Sequence, residues 1–425
     1  RRSRNGMAAV VFISFFGFNF VMPILPLYIR YLGVTDVAQA ALVSGLMLAI
    51  SPLTAAFFSP LWGLVADRYG RKRMVQRSLL VMTVCCVLMG MVTTPLQLFG
   101  LRAAIGVFGG FTAMAMAYLV TVTPAAHAST ALGLLQAMQV GGTVVGPLCA
   151  GFVADHFGIR ASFYSGAFVV FCGFLVLTLV AQDDRLFVRK TSSGSDGQVP
   201  PASEKRGAQN PLAGLASLGD AARLPGFLGV MLVMFCVQVV DRSFGPVLPL
   251  YVSSLGTPPE QVASYSGLVV SLGAVGTAVS AWVVGRLGAS WPIKRLLVFT
   301  LVAGTALCFP FILVRTPQQL LVTRFLLGLF AGGTLTLGYS LANLAVPEHR
   351  KGAAFGVLSS VTLLGSASSP LAMGALTRLD LRAVFVTDAI LYAAACVLAL
   401  RFKRPLPPAV GDLPRTAAPA TPAPH

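Results

Sequence analysis

Apolar residues in this chain gather in long runs rather than at the three-and-four spacing that marks one face of a surface helix. The runs cover residues 7–29, 41–66, 74–92, 95–122, 131–154 and 162–181, then 227–252, 265–284, 293–314, 318–346, 352–376 and 384–400. At about 1.5 Å per residue each can cross a hydrocarbon layer of about 30 Å, so twelve membrane helices are expected. A polar stretch at 183–225, with Ser192, Ser193, Gly194, Ser195 and the pair Pro200 and Pro201, parts the two sets of six and favours a flexible linker over a packed domain. The end, 403–425, is rich in Pro and Ala and is expected to be disordered. The pattern thus predicts an all-α integral membrane protein with six-helix halves at 1–182 and 226–402. The first run follows Arg1, Arg2 and Arg4 as the core of a secretory signal would, but its length and the lack of a small-x-small cleavage site favour a permanent helix.

The halves are copies of each other. Sliding the sequence by 222 or 223 positions lays Pro23, Pro26 and Tyr28 on Pro246, Pro249 and Tyr251, and Leu98, Arg102 and Gly106 on Leu320, Arg324 and Gly328. Paired six-helix repeats of this kind bind substrate between the halves, near the bilayer midplane.

Composition agrees with the pattern: 56% hydrophobic, 11% charged and a mean hydropathy of +0.80 leave too little polar surface to cover a water-soluble globule. The net charge of +17 would suit nucleic acid, yet the basic residues lie in short segments between apolar runs and read as topology signals. In the twelve-span arrangement twenty-three Lys and Arg fall on one side and five on the other, which puts both termini and the linker in the cytoplasm. All seven cysteines lie inside apolar runs without metal-ligand spacing, so neither disulfides nor metal are expected. There is no Gly-x-x-x-x-Gly-Lys-Ser/Thr loop to bind ATP, and no cofactor is expected.

The turn between the second and third runs carries Gly63, Asp67, Arg68, Gly70, Arg71, Lys72 and Arg73. Its glycines allow a tight reversal and its cations pin it to the cytoplasmic side. The spelling resembles the loop signature of the major facilitator superfamily. Over nearly its whole length the chain is similar to the twelve-span drug:proton antiporters of that family, the bacterial multidrug exporters. The resemblance implies the major facilitator fold and a monomer in the inner membrane. It implies no enzyme and no nucleic acid, but an antiporter that exchanges protons for small amphipathic or cationic molecules. It also implies that Asp67 latches the halves on the cytoplasmic side, with the other loop residues completing the gate. A positive-inside anchor explains the same loop. The equivalent stretch of the second half has Ala289 in place of the acid.

In the fifth run Gly142, Gly146, Pro147 and Gly151 resemble the antiporter motif of the exporting branch, returning in decayed form as Gly365, Ser369, Pro370 and Gly374. Small residues four apart permit close helix packing, and proline bends the helix. Arg102 is a full charge some seven residues into the fourth run and should face a cavity or a partner. The resemblance links it to proton coupling, though Ile105 departs from the family pattern, and Arg324 repeats its spacing in the tenth run. Asp241 and Asp388 are the acids inside apolar runs. Asp388, four residues into its run, is expected near the outer interface. Asp241 lies close to mid-membrane, at the depth of Asn19, and is expected to be buried on a different helix face from Arg242. It is either the proton carrier or one half of a structural ion pair with Arg102 or Arg242. Asn19, Gln136, Gln139, Gln238 and Asn343 add polar groups to a predicted substrate cavity. An exporter of one metabolite, such as a sugar or siderophore, and a non-transporting receptor on the same scaffold remain open at this point.

Overall fold

The structure is a computed structural model that describes residues 2–109, 111–123, 128–180, 227–288, 290–346 and 351–401; the expected linker and tail lie outside the described residues. The helices are α1 Arg2–Phe18, α2 Leu25–Tyr31, α3 Val37–Tyr69, α4 Arg71–Met91, α5 Pro95–Val107, α6 Phe111–Val122, α7 Ala128–Phe157 and α8 Ile159–Val180 in the first half. The second half has α9 Phe227–Ser254, α10 Val262–Leu287, α11 Ile293–Cys308, α12 Pro310–Leu313, α13 Pro317–Ala331, α14 Thr334–Ala345, α15 Lys351–Leu376 and α16 Ala383–Leu400. Among the described residues ten stretches are long and apolar enough to cross a membrane, and residues 6–18 and 95–107 form shorter apolar helices.

The two shorter helices belong to the first and fourth expected spans, each broken in two. The first stops at Phe18 and resumes at Leu25, with Pro26 in the first turn of α2, where a missing N–H costs nothing. The matching Pro246 and Pro249 lie inside the continuous helix α9. The fourth span breaks after Val107, where Trp62 Nε1 donates to Val107 O at 2.6 Å and Arg77 Nη2 donates to Phe108 O at 3.1 Å. These donors satisfy carbonyls that a helix end leaves without intrahelical partners.

The repeat seen in the sequence is a repeat in space. Tyr28 donates its hydroxyl to Met89 O at 2.8 Å, and Tyr251 donates to Phe311 O at 2.6 Å. Tyr28 packs on Phe163 with ring centroids 4.6 Å apart, as Tyr251 packs on Phe385 at 5.0 Å. Thr94 and Thr316 cap α5 and α13 by accepting from the backbone N–H three residues on.

The halves meet along two seams, α3 against α15 and α7 against α10. Both are glycine seams built from the same registers. A Cβ on Gly45 would meet Pro370 O, and one on Gly267 would meet Pro147 O. A Cβ on Gly374 would stand 2.6 Å from Ala41 O, and one on Gly151 would stand 2.8 Å from Ala263 C and Ser264 Cα. Backbone lies on backbone at all four points, which only glycine permits. All four lie at one end of the bundle, near the starts of α3 and α10 and the ends of α7 and α15.

Candidate functional site

Away from the seams the halves part around a cavity of about 660 Å³ lined by both. Its wall is mainly apolar, as in sites that take organic molecules. Asn19, Gln136 and Gln139 line it. Gln238 is buried in the helix interface and donates Nε2 to Oγ of the lining residue Ser366 at 2.7 Å. Asn343 is exposed and outside the lining.

Four charged residues line the cavity: Arg102, Asp241, Arg242 and Arg324. Asp241 is not buried as expected: its side chain is 40% exposed and lines the cavity. Nor is it separated from Arg242, because Arg242 Nε lies 3.6 Å from Asp241 Oδ2. Neighbouring Cα–Cβ directions do diverge on a helix, but the arginine stem is long enough to fold back, and the solvated cavity leaves both ends room. An ion pair this exposed contributes about 0–1 kcal/mol.

Arg102 is 1% exposed, and its Nε and Nη2 have no hydrogen-bond partner among the described residues. Its helix is clamped to α3: Ser51 Oγ donates to Arg102 O at 2.7 Å, and a Cβ on Gly106 would meet Ser51 O. Arg324 lies over the ring of Phe244 at 4.2 Å, and its Nε has no hydrogen-bond partner among the described residues. Asp388, expected near the outer interface, is fully buried instead and accepts from Ser243 Oγ at 2.7 Å. Counting along a run gives depth; it cannot tell which face of α16 turns towards α9.

The glycine motif of α7 works on two faces. Gly142 and Gly146 press on α1, where a Cβ on either would stand 2.7 Å from Phe12 O or Phe16 O respectively. Pro147 and Gly151 meet α10 of the other half. The decayed copy on α15 keeps Pro370 and Gly374, the two residues that form the opposite seam. Ser369, which replaces the second glycine, donates to Val239 O. At the end of the same α7, Asp155 reaches across the halves: Oδ2 accepts from Ser264 N at 2.6 Å and Oδ1 from Ala263 N at 3.2 Å. A carboxylate on the first amides of α10 is the arrangement that stabilises a helix start. Nothing in the run pattern marked it, since Asp155 looks like an ordinary helix-end acid.

In the turn between α3 and α4, Gly70 has φ +93°, a conformation that favours glycine. Gly63, Asp67 and Arg68 are part of α3, but their side chains lie outside the described residues; Arg71, Lys72 and Arg73 form the first turn of α4, and Lys72 Nζ donates to Thr178 O of α8 at 3.4 Å. Close by, the Arg77 guanidinium stacks on the Trp62 ring at 3.5 Å.

A family model described as Major Facilitator Superfamily matches residues 7–319 and 230–424. Among curated proteins, the Multidrug resistance protein MdtG of Klebsiella pneumoniae (strain 342) is 33% identical over 396 residues, covering 93% of this chain and 92% of its own. That of Serratia proteamaculans (strain 568) is 36% identical over 381 residues, 89% and 88% of the two chains. Among solved structures, the nucleoside transporter NupG superposes with a TM-score of 0.72 at 15% identity, over 95% of this chain and 98% of its own. A bacterial homologue of the human lysosomal transporter Spinster, in an inward-facing and occupied conformation, gives 0.72 at 14% identity, over 94% and 96%.

Proposed function

The chain belongs to the major facilitator superfamily, and from that premise we propose that it is a proton-coupled exporter of small amphipathic compounds. The observation that carries the reading is its similarity, over about nine-tenths of both chains, to proteins named for multidrug resistance. The broad apolar cavity between the halves supports it. Three arginines against one aspartate among the described lining residues weigh against the cationic part of the expected substrate range, and favour amphipaths that are neutral, zwitterionic or anionic.

The proposed setting is the bacterial inner membrane, with both termini cytoplasmic, by the excess of Lys and Arg on that side. In that orientation the glycine seams seal the outer end and the cavity opens inward. The loop from Gly63 to Arg73 is then the gate that must close for the cavity to face outward, and the α7 motif sets the hinge between α1 and α10. Asp241, half-exposed in the cavity wall, is a candidate coupling acid there; Arg102 is a buried cation beside the same space, with Nε and Nη2 unpartnered among the described residues.

Everted membrane vesicles test the reading. Uptake of an amphipathic dye should follow an imposed pH gradient and collapse with an uncoupler. Absence of gradient-driven flux across a panel of neutral, zwitterionic, anionic and cationic amphipaths would refute it and favour a receptor on this scaffold. Flux of one metabolite alone, without competition by the panel, would favour a dedicated exporter.

A further inference from the structure

Asp388 lies on α16 with no exposed surface, and one of its carboxyl oxygens, Oδ1, has no hydrogen-bond partner among the described residues. The other, Oδ2, is 2.7 Å from Ser243 Oγ, which is itself 2.8 Å from Val240 O. A serine hydroxyl has one hydrogen to give. If Asp388 is ionised, Ser243 must choose between the carboxylate and the carbonyl, and a charged oxygen stays buried without a partner. If Asp388 carries a proton, its O–H donates to Ser243 Oγ and the Ser243 O–H donates to Val240 O. Only the neutral carboxyl makes both short contacts hydrogen bonds, and a neutral orphan oxygen costs less than a charged one.

The repeat shows that the fold does not need this acid. In the first half, Gly166 stands in the register of Asp388 and Phe20 in that of Ser243, and the two pack as an apolar contact, a Cβ on Gly166 standing 3.1 Å from Phe20 Cβ. Arg102, the counterpart of Arg324, is buried there without a carboxylate. The acid stands in one half only, behind the cavity wall.

We propose that Asp388 is a proton-binding site, its carboxyl held on Ser243, that acts on the cavity through Arg324. This rests on the reading of the chain as proton-coupled. The step is a simple protonation: one proton from cavity water adds to Oδ2, the carboxylate becomes neutral, and Ser243 turns its hydrogen to Val240 O; release reverses it. Arg324 lies 4.2 Å over the ring of Phe244, the neighbour of Ser243, and it lines the cavity, so it is the cation placed to sense the charge on Asp388. With Asp388 neutral its guanidinium is free for the cavity; with Asp388 charged it is drawn back towards α16. Among the described residues the other titratable groups near Asp388 are Tyr392 on its own helix and Cys308 on α11, with Asp241 on α9 near Tyr392 and paired to Arg242. Helices α12 and α15, which also touch α16, bring no titratable side chain to it.

The test uses the purified full-length protein. Infrared difference spectra between acidic and alkaline buffer should contain a protonated-carboxyl band that is lost in Asp388→Asn, kept in Asp241→Asn, and shifted in Ser243→Ala. The last variant removes only a hydroxyl and covers the case in which Asp388→Asn does not fold. In proteoliposomes with anilinonaphthalene sulfonate as probe, Asp388→Asn should lose the response to a pH gradient while keeping probe binding and its melting temperature. The proposal is overturned if no such band titrates in the wild type, or if Asp388→Asn leaves both band and gradient response intact. It also falls if the substitution lowers the melting temperature and Arg324→Gln restores it with gradient response unchanged, the mark of a structural pair. A wild type that shows the Asp388 band but moves no probe keeps the proton site and refutes the export reading for that probe.

Discussion

Replacing Gly374 by alanine places a methyl group 2.6 Å from Ala41 O and 3.1 Å from Ala41 C and Leu42 Cα, where ordinary contact begins at 3.4 Å. The nearest atoms are all backbone, so no side chain can turn aside, and α3 and α15 must part by about 0.8 Å at that point. Overpacking of this kind costs about 1–3 kcal/mol. The cost falls only on the state in which the seam is closed, so it shifts the balance between closed and open seams by about 5- to 150-fold. Gly151→Ala does the same on α7 against α10, and because the seams are separate the two penalties should add. Gly100→Ala, with no atom within 4 Å of the new methyl, is the control. The assay is the distance distribution between spin labels at Leu96 and Leu379, exposed residues on opposite halves at the seam end, in a background without native cysteines. The long-distance population should rise in each single variant, more in the double variant, and not in the control. Unchanged distributions in the double variant would refute the claim that these glycines hold the halves together.

Asp155→Ala removes the acceptor for two α10 amides and should cost about 1 kcal/mol of the closed seam, read as a further rise in the same long-distance population; Asp155→Asn should lose less. Gly146→Leu should abolish gradient-driven export, since backbone of α1 occupies the space the side chain needs, and tolerated bulk there would remove the motif from the mechanism. Asp67→Asn should impair efflux while leaving insertion and orientation intact, because the loop keeps its cations; normal efflux would reduce the loop to an anchor. Membrane abundance and thiol accessibility of an introduced loop cysteine separate the two outcomes.

The repeat and its register were readable from the sequence because duplicated helices keep their prolines, arginines and tyrosines at fixed offsets. Sliding the chain by 222 positions also pairs Gly45 with Gly267 and Ala41 with Ala263, so the seams were within reach of the sequence, though nothing but the structure shows that those registers touch. Asp241 and Asp388 went the other way. Run depth alone made the first look buried and the second peripheral. Which face of a membrane helix meets a cavity and which meets a neighbour is decided by packing, and in a helix apolar all round no periodicity records it. The broken first and fourth spans were equally silent, since Pro23 and Pro26 break a helix where Pro246 and Pro249 do not.

On α3 and α10 the seam and the cavity wall occupy successive turns of one helix. Ala41 and Gly45 are followed by the lining residues Leu48, Ser51, Pro52 and Ala55; Ala263 and Gly267 are followed by Val270, Ala274, Thr277 and Ala278. Ancestry can therefore edit the two functions independently. The seam tolerates no side chain, so drift there is nearly forbidden. The turns beyond it can change size and polarity without moving the backbone contact between the halves. A lineage with this layout can acquire new substrates by ordinary point mutation while inheriting its moving parts unaltered.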